Sequence, residues 1–345
     1  MRAARATPQR ILICRTDNIG DVVLTLPLAG YLKSRLPGVQ VGFLVRAYAA
    51  SVVRLCRHVD QVLVLEEQAA PVQPFGGHAY DTVLFVYPNR KLAHRARRAR
   101  VPNRIGTSHR IDHWISCNRL VNFSRARSDL HEAQLNFALL RPLGLKSIPA
   151  LDEIVALYGM TAPPLARAGA LAAQAPFNLI LHTKSNGNGR EWPLQRYTEL
   201  AQLLAADAGI RIWLTGSAQE GALLAEQAAA LLALPNVLDL CGQVDLGELA
   251  ALIGVADGLV ASGTGPLHLA AALKRPTLGL FPPIKPIDAG RWGALGAQAQ
   301  SLTPPQRCAS CEDKAACHCM DAISAEQVAQ VVRGWRAAHS MAARA

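Results

Sequence analysis

Residues Ala261–Leu273 read ASGTGPLHLAAAL and follow directly on the run Asp257–Val260, DGLV. An apolar strand breaks here into small polar residues and then continues as plain helix. Free backbone N–H groups at a helix start form an anion site, and glycines let a phosphate approach the backbone closely. Thr264 adds a hydroxyl donor, and His268 falls about one turn into the helix, on the face toward the turn. Alone, His268 would equally suit a core imidazole bonded to a carbonyl; beside a phosphate-shaped turn it becomes a site candidate. The stretch predicts a strand–turn–helix unit of a parallel α/β sheet, with an anion held at the strand's C-terminal end.

Working outward, FNLILHT, RIWLTGS, NVLDLCG and PTLGLF repeat the same kind of apolar run in this half. RILICR, VQVGFLV, VDQVLVL and YDTVLFVY do so in the first half. Continuous apolar strands alternating with helical stretches indicate a parallel sheet covered on both faces. Met160–Pro176, MTAPPLARAGALAAQAP, is rich in Ala and Pro and separates the two series as a linker. The expected organisation is a domain over 1–160, a linker over 161–176, a domain over 177–323, and a C-terminal helix and tail over 324–345 capped by Ser324. The fold class is α/β, with two doubly wound, Rossmann-like domains facing each other so that their strand C-terminal ends surround one cleft.

At 345 residues, 50% hydrophobic and 5% aromatic, the chain suits two domains with cores rich in Ala and Leu. No apolar run reaches the roughly 18 residues needed to span a bilayer. The basic start MRAARATPQR leads into a strand pattern rather than a signal peptide, so a cytoplasmic location is expected. The net charge of +11 is uneven: residues 1–160 hold 22 Lys and Arg against 11 Asp and Glu, whereas residues 161–345 hold 14 of each. The excess peaks in Arg90–Arg110, RKLAHRARRARVPNRIGTSHR. Such a run is either a solvated helix face or an attractor for a phosphorylated substrate, a membrane surface or nucleic acid. The arginines lack interleaved aromatics and the phosphate-shaped turns sit in the neutral half, so no nucleic-acid partner is expected.

Other strand ends carry candidates of the same kind. RTDNIGDVVLTLP supplies Asp21 at a helix start, either a first-turn carboxylate or a general base; Asp17 competes with it. LHTKSNGNGREWPLQRYTEL supplies Lys184, Ser185 and Arg190, and LTGSAQE supplies Glu220, which suits ribose hydroxyls or an ordinary exposed helix. G-x-G-x-x-G, Walker A and H-E-x-x-H motifs are missing, so dehydrogenase, NTPase and zincin readings lack their signatures. Cys14, Cys56, Cys117 and Cys241 are dispersed and read as small buried hydrophobes. Cys308, Cys311, Cys317 and Cys319 form C-x2-C-x5-C-x-C, for which a structural zinc or iron, free thiols and disulfides all remain open.

In order and spacing, the first strand with its IGD turn, RRARVPNRIG, HEAQLNFALLRPLG, REWPLQRYTELA, LTGSAQE, LCGQVDLGELAALI, SGTGPLHLAAALKRPTLGLF and CMDAISAEQV resemble the ADP-heptose:lipopolysaccharide heptosyltransferases, glycosyltransferase family 9. The resemblance covers nearly the whole chain and implies a GT-B fold and inverting sugar transfer without a metal in the chemistry. It implies Asp21 as catalytic base and Arg190, at a position usually lysine, as neutraliser of the donor diphosphate. It also implies Glu220 on the ribose, Val244 beside the adenine, and Thr264, Gly265 and His268 at the diphosphate and sugar. The implied partners are a nucleotide-sugar donor and an anionic lipopolysaccharide-core acceptor at the cytoplasmic face of the inner membrane. Arg97, Arg98, Arg100 and Arg104 of the basic segment are the expected acceptor contacts. One departure stands out: Gly263 occupies the place of an Asp that contacts the donor sugar.

Overall fold

The computed structural model describes residues 7–67, 80–125, 127–185, 187, 189–311, 313 and 317–342. It divides into two compact units, Met1–Thr161 and Ala162–Ala345. In the first, β1 (Arg10–Cys14), β2 (Gln40–Val45), β3 (Gln61–Val64), β4 (Thr82–Phe85), β5 (Asn103–Thr107) and β6 (Arg119–Val121) form one sheet in the order β3-β2-β1-β4-β5-β6. Every neighbouring pair is parallel. Ile11, Leu12 and Ile13 in β1 are fully buried, as a strand covered by helices on both faces must be.

The second unit repeats this plan. Its strands are β7 (Phe177–His182), β8 (Ile210–Thr215), β9 (Val237–Asp239), β10 (Gly258–Ser262), β11 (Thr277–Leu280) and β12 (Ala299–Leu302). They run β12-β11-β10-β7-β8-β9, again all parallel. Renumbered from β7, this is the same order as the first sheet. Each sheet therefore reverses direction beside its first strand, between β1 and β4 and between β7 and β10. Loops leaving those strands part to opposite faces and open a crevice at the C-terminal edge, where ligands of open α/β sheets bind.

The stretch expected as a linker is structured. It carries the helix Ala166–Ala172, which packs on the helix Leu246–Val255 with Ala168 fully buried. The C-terminal helix Ala325–Ala342 also belongs to the second unit and lies along the helix Leu194–Ala205. Val328, Ala329 and Val332 share one core with Leu200 and Leu204. Trp192 sits in the same core, edge-on to Tyr197 at 4.7 Å, with its indole N–H on the Ile323 carbonyl at 2.9 Å. Leu200→Ala should open a void between the two helices and lower stability by about 2–5 kcal/mol. Urea unfolding followed by tryptophan fluorescence reads this directly.

Candidate active site

The loop leaving β1 at the first reversal is organised by a buried arginine. Arg15, 3% exposed, sends Nε to Asp17 at 2.7 Å and a terminal nitrogen to Asp21, forming an ion pair with each. Its other terminal nitrogen reaches Asn136 at 3.2 Å and Glu132 at 3.5 Å. Glu132 is itself buried and accepts from Arg125 Nε at 2.9 Å, while Arg125 also donates to Asn136 at 3.1 Å. The helix Glu132–Phe137 thus supplies the acid and amide that fix two guanidiniums beside the short helix Ile19–Val23, which carries Asp21. The cluster holds three carboxylates against two guanidiniums. Burial pushes Asp21 up to about 6, with Asp17 and Glu132 adding to the rise and Arg15 opposing it. A carboxylate with this environment changes protonation near neutral pH, as a general base requires.

Sequence reading singled out Asp21 and Asp17 but missed Arg15, Arg125 and Glu132. Arg15 had a visible signal, since it follows the last residue of β1 and so stands at the C-terminal edge. The expected acceptor arginines are elsewhere. Helices of a parallel sheet leave the C-terminal edge and return to the opposite one, and the helix Arg90–Arg98 leads back into β5. Arg97, Arg98, Arg100 and the early β5 residue Arg104 therefore lie at the N-terminal edge, away from Asp21. Arg97 donates to the Ile115 carbonyl at 3.0 Å, and Arg104 Nε donates to the Ser116 carbonyl at 2.8 Å. These four, expected as acceptor contacts, thus stand at the opposite edge of the sheet from Asp21.

At the second reversal, the loop after β7 wraps around Glu191. Its carboxylate accepts from Lys184 at 2.5 Å, from the Ser185 amide at 2.7 Å and from the Ser185 hydroxyl at 2.9 Å. Burial raises its pKa, but these bonds outweigh that and hold it below the ordinary carboxylate value. Asn186 and Asn188 of this loop lie outside the described residues. Arg190 donates to the Cys311 carbonyl at 3.1 Å, and its buried Nε has no hydrogen-bond partner among the described residues. Lys184, Arg190, Glu220, Ser217, Cys317 and Met320 line one cavity of about 400 Å³. Glu220 closes a capping box with Ser217, accepting from its amide at 2.7 Å, so it begins the helix Ala218–Gln227 at the cavity wall. Burial lowers the pKa of His182, the last residue of β7, whose ring contacts the Thr215 hydroxyl at 3.0 Å; sequence reading had passed it over.

The ASGTGPLHLAAAL stretch forms the end of β10 and the helix Gly265–Ala272. Thr264 is its N-cap, yet the buried hydroxyl caps nothing and has no partner among the described residues, leaving a donor at the helix start. His268 is buried one turn further on. Ser262 ties this turn to the loop after β7 by accepting from the Trp192 amide at 2.9 Å. Val244 is half-buried on the loop between β9 and the helix Leu246–Val255 and does not line the cavity.

The four clustered cysteines also converge here. All four sulfurs lie within 4.8 Å of one another. Cys308 is 3.7 Å from Cys311 and 3.9 Å from Cys317, while Cys311 is 3.0 Å from Cys319. A disulfide needs about 2.05 Å, whereas a tetrahedral thiolate site with metal–sulfur bonds near 2.3 Å spaces its sulfurs by about 3.8 Å. The donor set fits zinc or iron, and the Cys308 amide already points at the Cys319 sulfur at 3.0 Å.

Two Rossmann-ordered units, one with a carboxylate of raised pKa at its strand ends and the other with a polar cavity near a helix start that carries an unpartnered hydroxyl, have the architecture of a GT-B glycosyltransferase. Residues 72–319 match glycosyltransferase family 9 (heptosyltransferase), and the chain belongs to that family. Lipopolysaccharide heptosyltransferase 1 of Pseudomonas aeruginosa is 28% identical over 324 residues, covering 88% of this chain and 86% of that one. The structure of Escherichia coli ADP-heptose lps heptosyltransferase II matches with a TM-score of 0.73 at 18% identity, over 96% of this chain and 99% of that one. The iron-containing dodecameric glycosyltransferase TibC of enterotoxigenic Escherichia coli matches with a TM-score of 0.54 at 12% identity, over 96% and 77%.

The departure at Gly263 has a steric cause. A Cβ there would lie 2.9 Å from Phe281 Cε1, a buried ring that also closes over Gly279. Gly263→Ala should therefore cost about 1–3 kcal/mol through overpacking, and Phe281→Leu in the same chain should recover part of it. Thermal unfolding of the two variants and their combination measures the coupling.

Proposed function

We propose that the enzyme transfers heptose from ADP-heptose to the anionic core of lipopolysaccharide by a single inverting displacement. The observation that carries the reading is Asp21, a partly buried carboxylate raised to about 6 and held by Arg15 at the C-terminal edge of β1. Asp21 accepts the proton of the acceptor hydroxyl as that oxygen bonds to the anomeric carbon. The bond from that carbon to the diphosphate oxygen breaks, and ADP leaves with the electron pair. Arg190 and Lys184 face the charge that develops on the diphosphate, aided by the Thr264 hydroxyl and the helix start behind it. Glu220 on the cavity wall suits the ribose hydroxyls, and Val244, Gly265 and His268 complete the donor contacts in this reading. Relatives called lipopolysaccharide heptosyltransferase 1 support the donor and acceptor classes.

The acceptor is anchored in a leaflet, and the first unit offers a surface for it. Ile111, Trp114 and Ile115 are 83%, 65% and 60% exposed on a short helix that follows the C-terminal edge of β5. The arginine-rich helix Arg90–Arg98 packs beside it, linked by Arg90 to Asp112 at 3.3 Å. Apolar residues ringed by cations suit an anionic bilayer surface. Trp114→Ala should reduce sedimentation with vesicles containing anionic lipid while leaving transfer to a lipid-free acceptor unchanged. No helix among the described residues is long and apolar enough to cross a membrane. The cysteine cluster would hold one zinc or iron in a structural role, a reading favoured by its sulfur spacing and by the iron-containing relative.

The sign of the pH dependence follows from the base. Below about 6 the Asp21 carboxyl keeps its proton and cannot accept another. kcat/KM should therefore rise with pH up to about 6 and level off above it. Asp21→Asn should lower kcat by roughly 10²–10⁴, with ADP affinity unchanged. Near wild-type turnover in that variant would remove Asp21 from the chemistry.

A further inference from the structure

The sequence places the cysteine cluster close to the C-terminal helix, where a purely structural clip would suffice. The structure instead threads it through the donor cavity. Cys317 and Met320 line the same cavity as Lys184 and Arg190. The Cys311 carbonyl accepts the guanidinium of Arg190 at 3.1 Å. Two residues on, the indole of Trp192 donates to the Ile323 carbonyl at 2.9 Å, just past the short helix Cys319–Ala322. Arg196 reaches the Asp321 carbonyl at 3.2 Å. The cysteine segment therefore grips the Arg190–Arg196 stretch at three points, and the first is the side chain placed at the diphosphate.

The segment, residues 303–318, has no regular secondary structure of its own among the described residues, and Cys311 lies between sequence-adjacent ligands of the cluster. Four thiolates this close repel one another unless a cation neutralises them. Bound to one ion, their sulfurs fix the four cysteines, and with them the carbonyl of Cys311. Without the ion that carbonyl is free to drift, and Arg190 loses the anchor that aims it into the cavity.

We propose that the four-cysteine cluster binds zinc or ferrous iron and that this ion, through the Cys311 carbonyl and Arg190, sets the affinity of the cavity for a nucleoside diphosphate. The ion is a determinant of donor binding and takes no part in the transfer. This rests on the donor-site reading of the cavity given above.

The test is calorimetric titration of ADP into the full chain, purified without a histidine tag, in three states: metal-loaded, stripped with chelator under reducing conditions, and reloaded with zinc or ferrous iron. Elemental analysis counts the ion, and far-UV circular dichroism with the fitted stoichiometry refers affinity to folded molecules. Stripping should weaken ADP binding roughly tenfold, the size of one misplaced charge-assisted hydrogen bond, and reloading should restore it. In Arg190→Ala, ADP should bind weakly and equally in all three states. Equal affinity in loaded and stripped wild-type protein overturns the coupling and leaves the donor site standing. A metal effect that persists in Arg190→Ala overturns the route through that residue. Protein that takes up no stoichiometric metal overturns the inference at its root. Loaded, folded protein that fails to bind ADP in any form overturns the donor reading itself.

Discussion

All strands in each sheet run parallel, and each sheet reverses its order beside its first strand. From that constraint the location of the candidate residues in each unit follows. Parallel strands bring every strand-to-helix turn to one edge, where helix starts carry partial positive charge. Reversal sends the helices on either side of β1 and of β7 to opposite faces, so the turns there are the ones not covered by a neighbour. Arg15 to Asp21 leave β1, and Lys184 to Arg190 leave β7, while Thr264 leaves β10 across the second reversal. The positions of these residues are consequences of topology before any question of chemistry arises.

The two edges then differ in how they handle charge. Around β1 the charges are close to balanced, with buried Arg15 and Glu132 and the partly exposed Arg125, Asp17 and Asp21 sharing ion pairs. Burying such a cluster costs desolvation that the ion pairs only offset. What the arrangement achieves is a fixed carboxylate whose proton affinity is raised. Around β7 the acids are withdrawn into local work: Glu191 closes its own loop and Glu220 caps a helix. Among the described residues, unpartnered donors at that edge include the buried Nε of Arg190 and the Thr264 hydroxyl. In the proposed reaction one edge takes a proton and the other receives negative charge.

Much of this was legible in the residues. Apolar runs such as RILICR and DGLVAS read as buried parallel strands because they are short and alternate with helical stretches, and the turns after such runs carried Asp21, Lys184, Arg190 and Thr264. The partners of Asp21 were harder, since Arg15 and Glu132 are separated by 117 positions and meet only through the fold. The helix Ala166–Ala172 escaped notice because Ala168 is its sole buried residue and alanine on every side leaves no stripe. The edge on which the arginine run lies was not legible from its composition. Its density suggested an anion site, yet residues just before a strand stand at the opposite edge from residues just after one. Likewise the aromatic that the run lacks comes from the next helix, as Trp114.

The segment Arg190–Glu191–Trp192 concentrates the logic of the donor half. Three consecutive side chains tie down three different pieces of chain: Glu191 the loop after β7, Trp192 the segment before the C-terminal helix, and Arg190 the cysteine loop. The Trp192 amide adds the turn after β10 through Ser262. A guanidinium on a free loop would lose rotamer freedom each time it met a phosphate, at about 0.5–1.5 kcal/mol for one such side chain. Here that ordering is completed during folding, by carbonyls that belong to other elements. In the proposed donor reading this gives the cysteine loop its place against the cavity: its backbone supplies the acceptor that keeps Arg190 extended before the anion arrives.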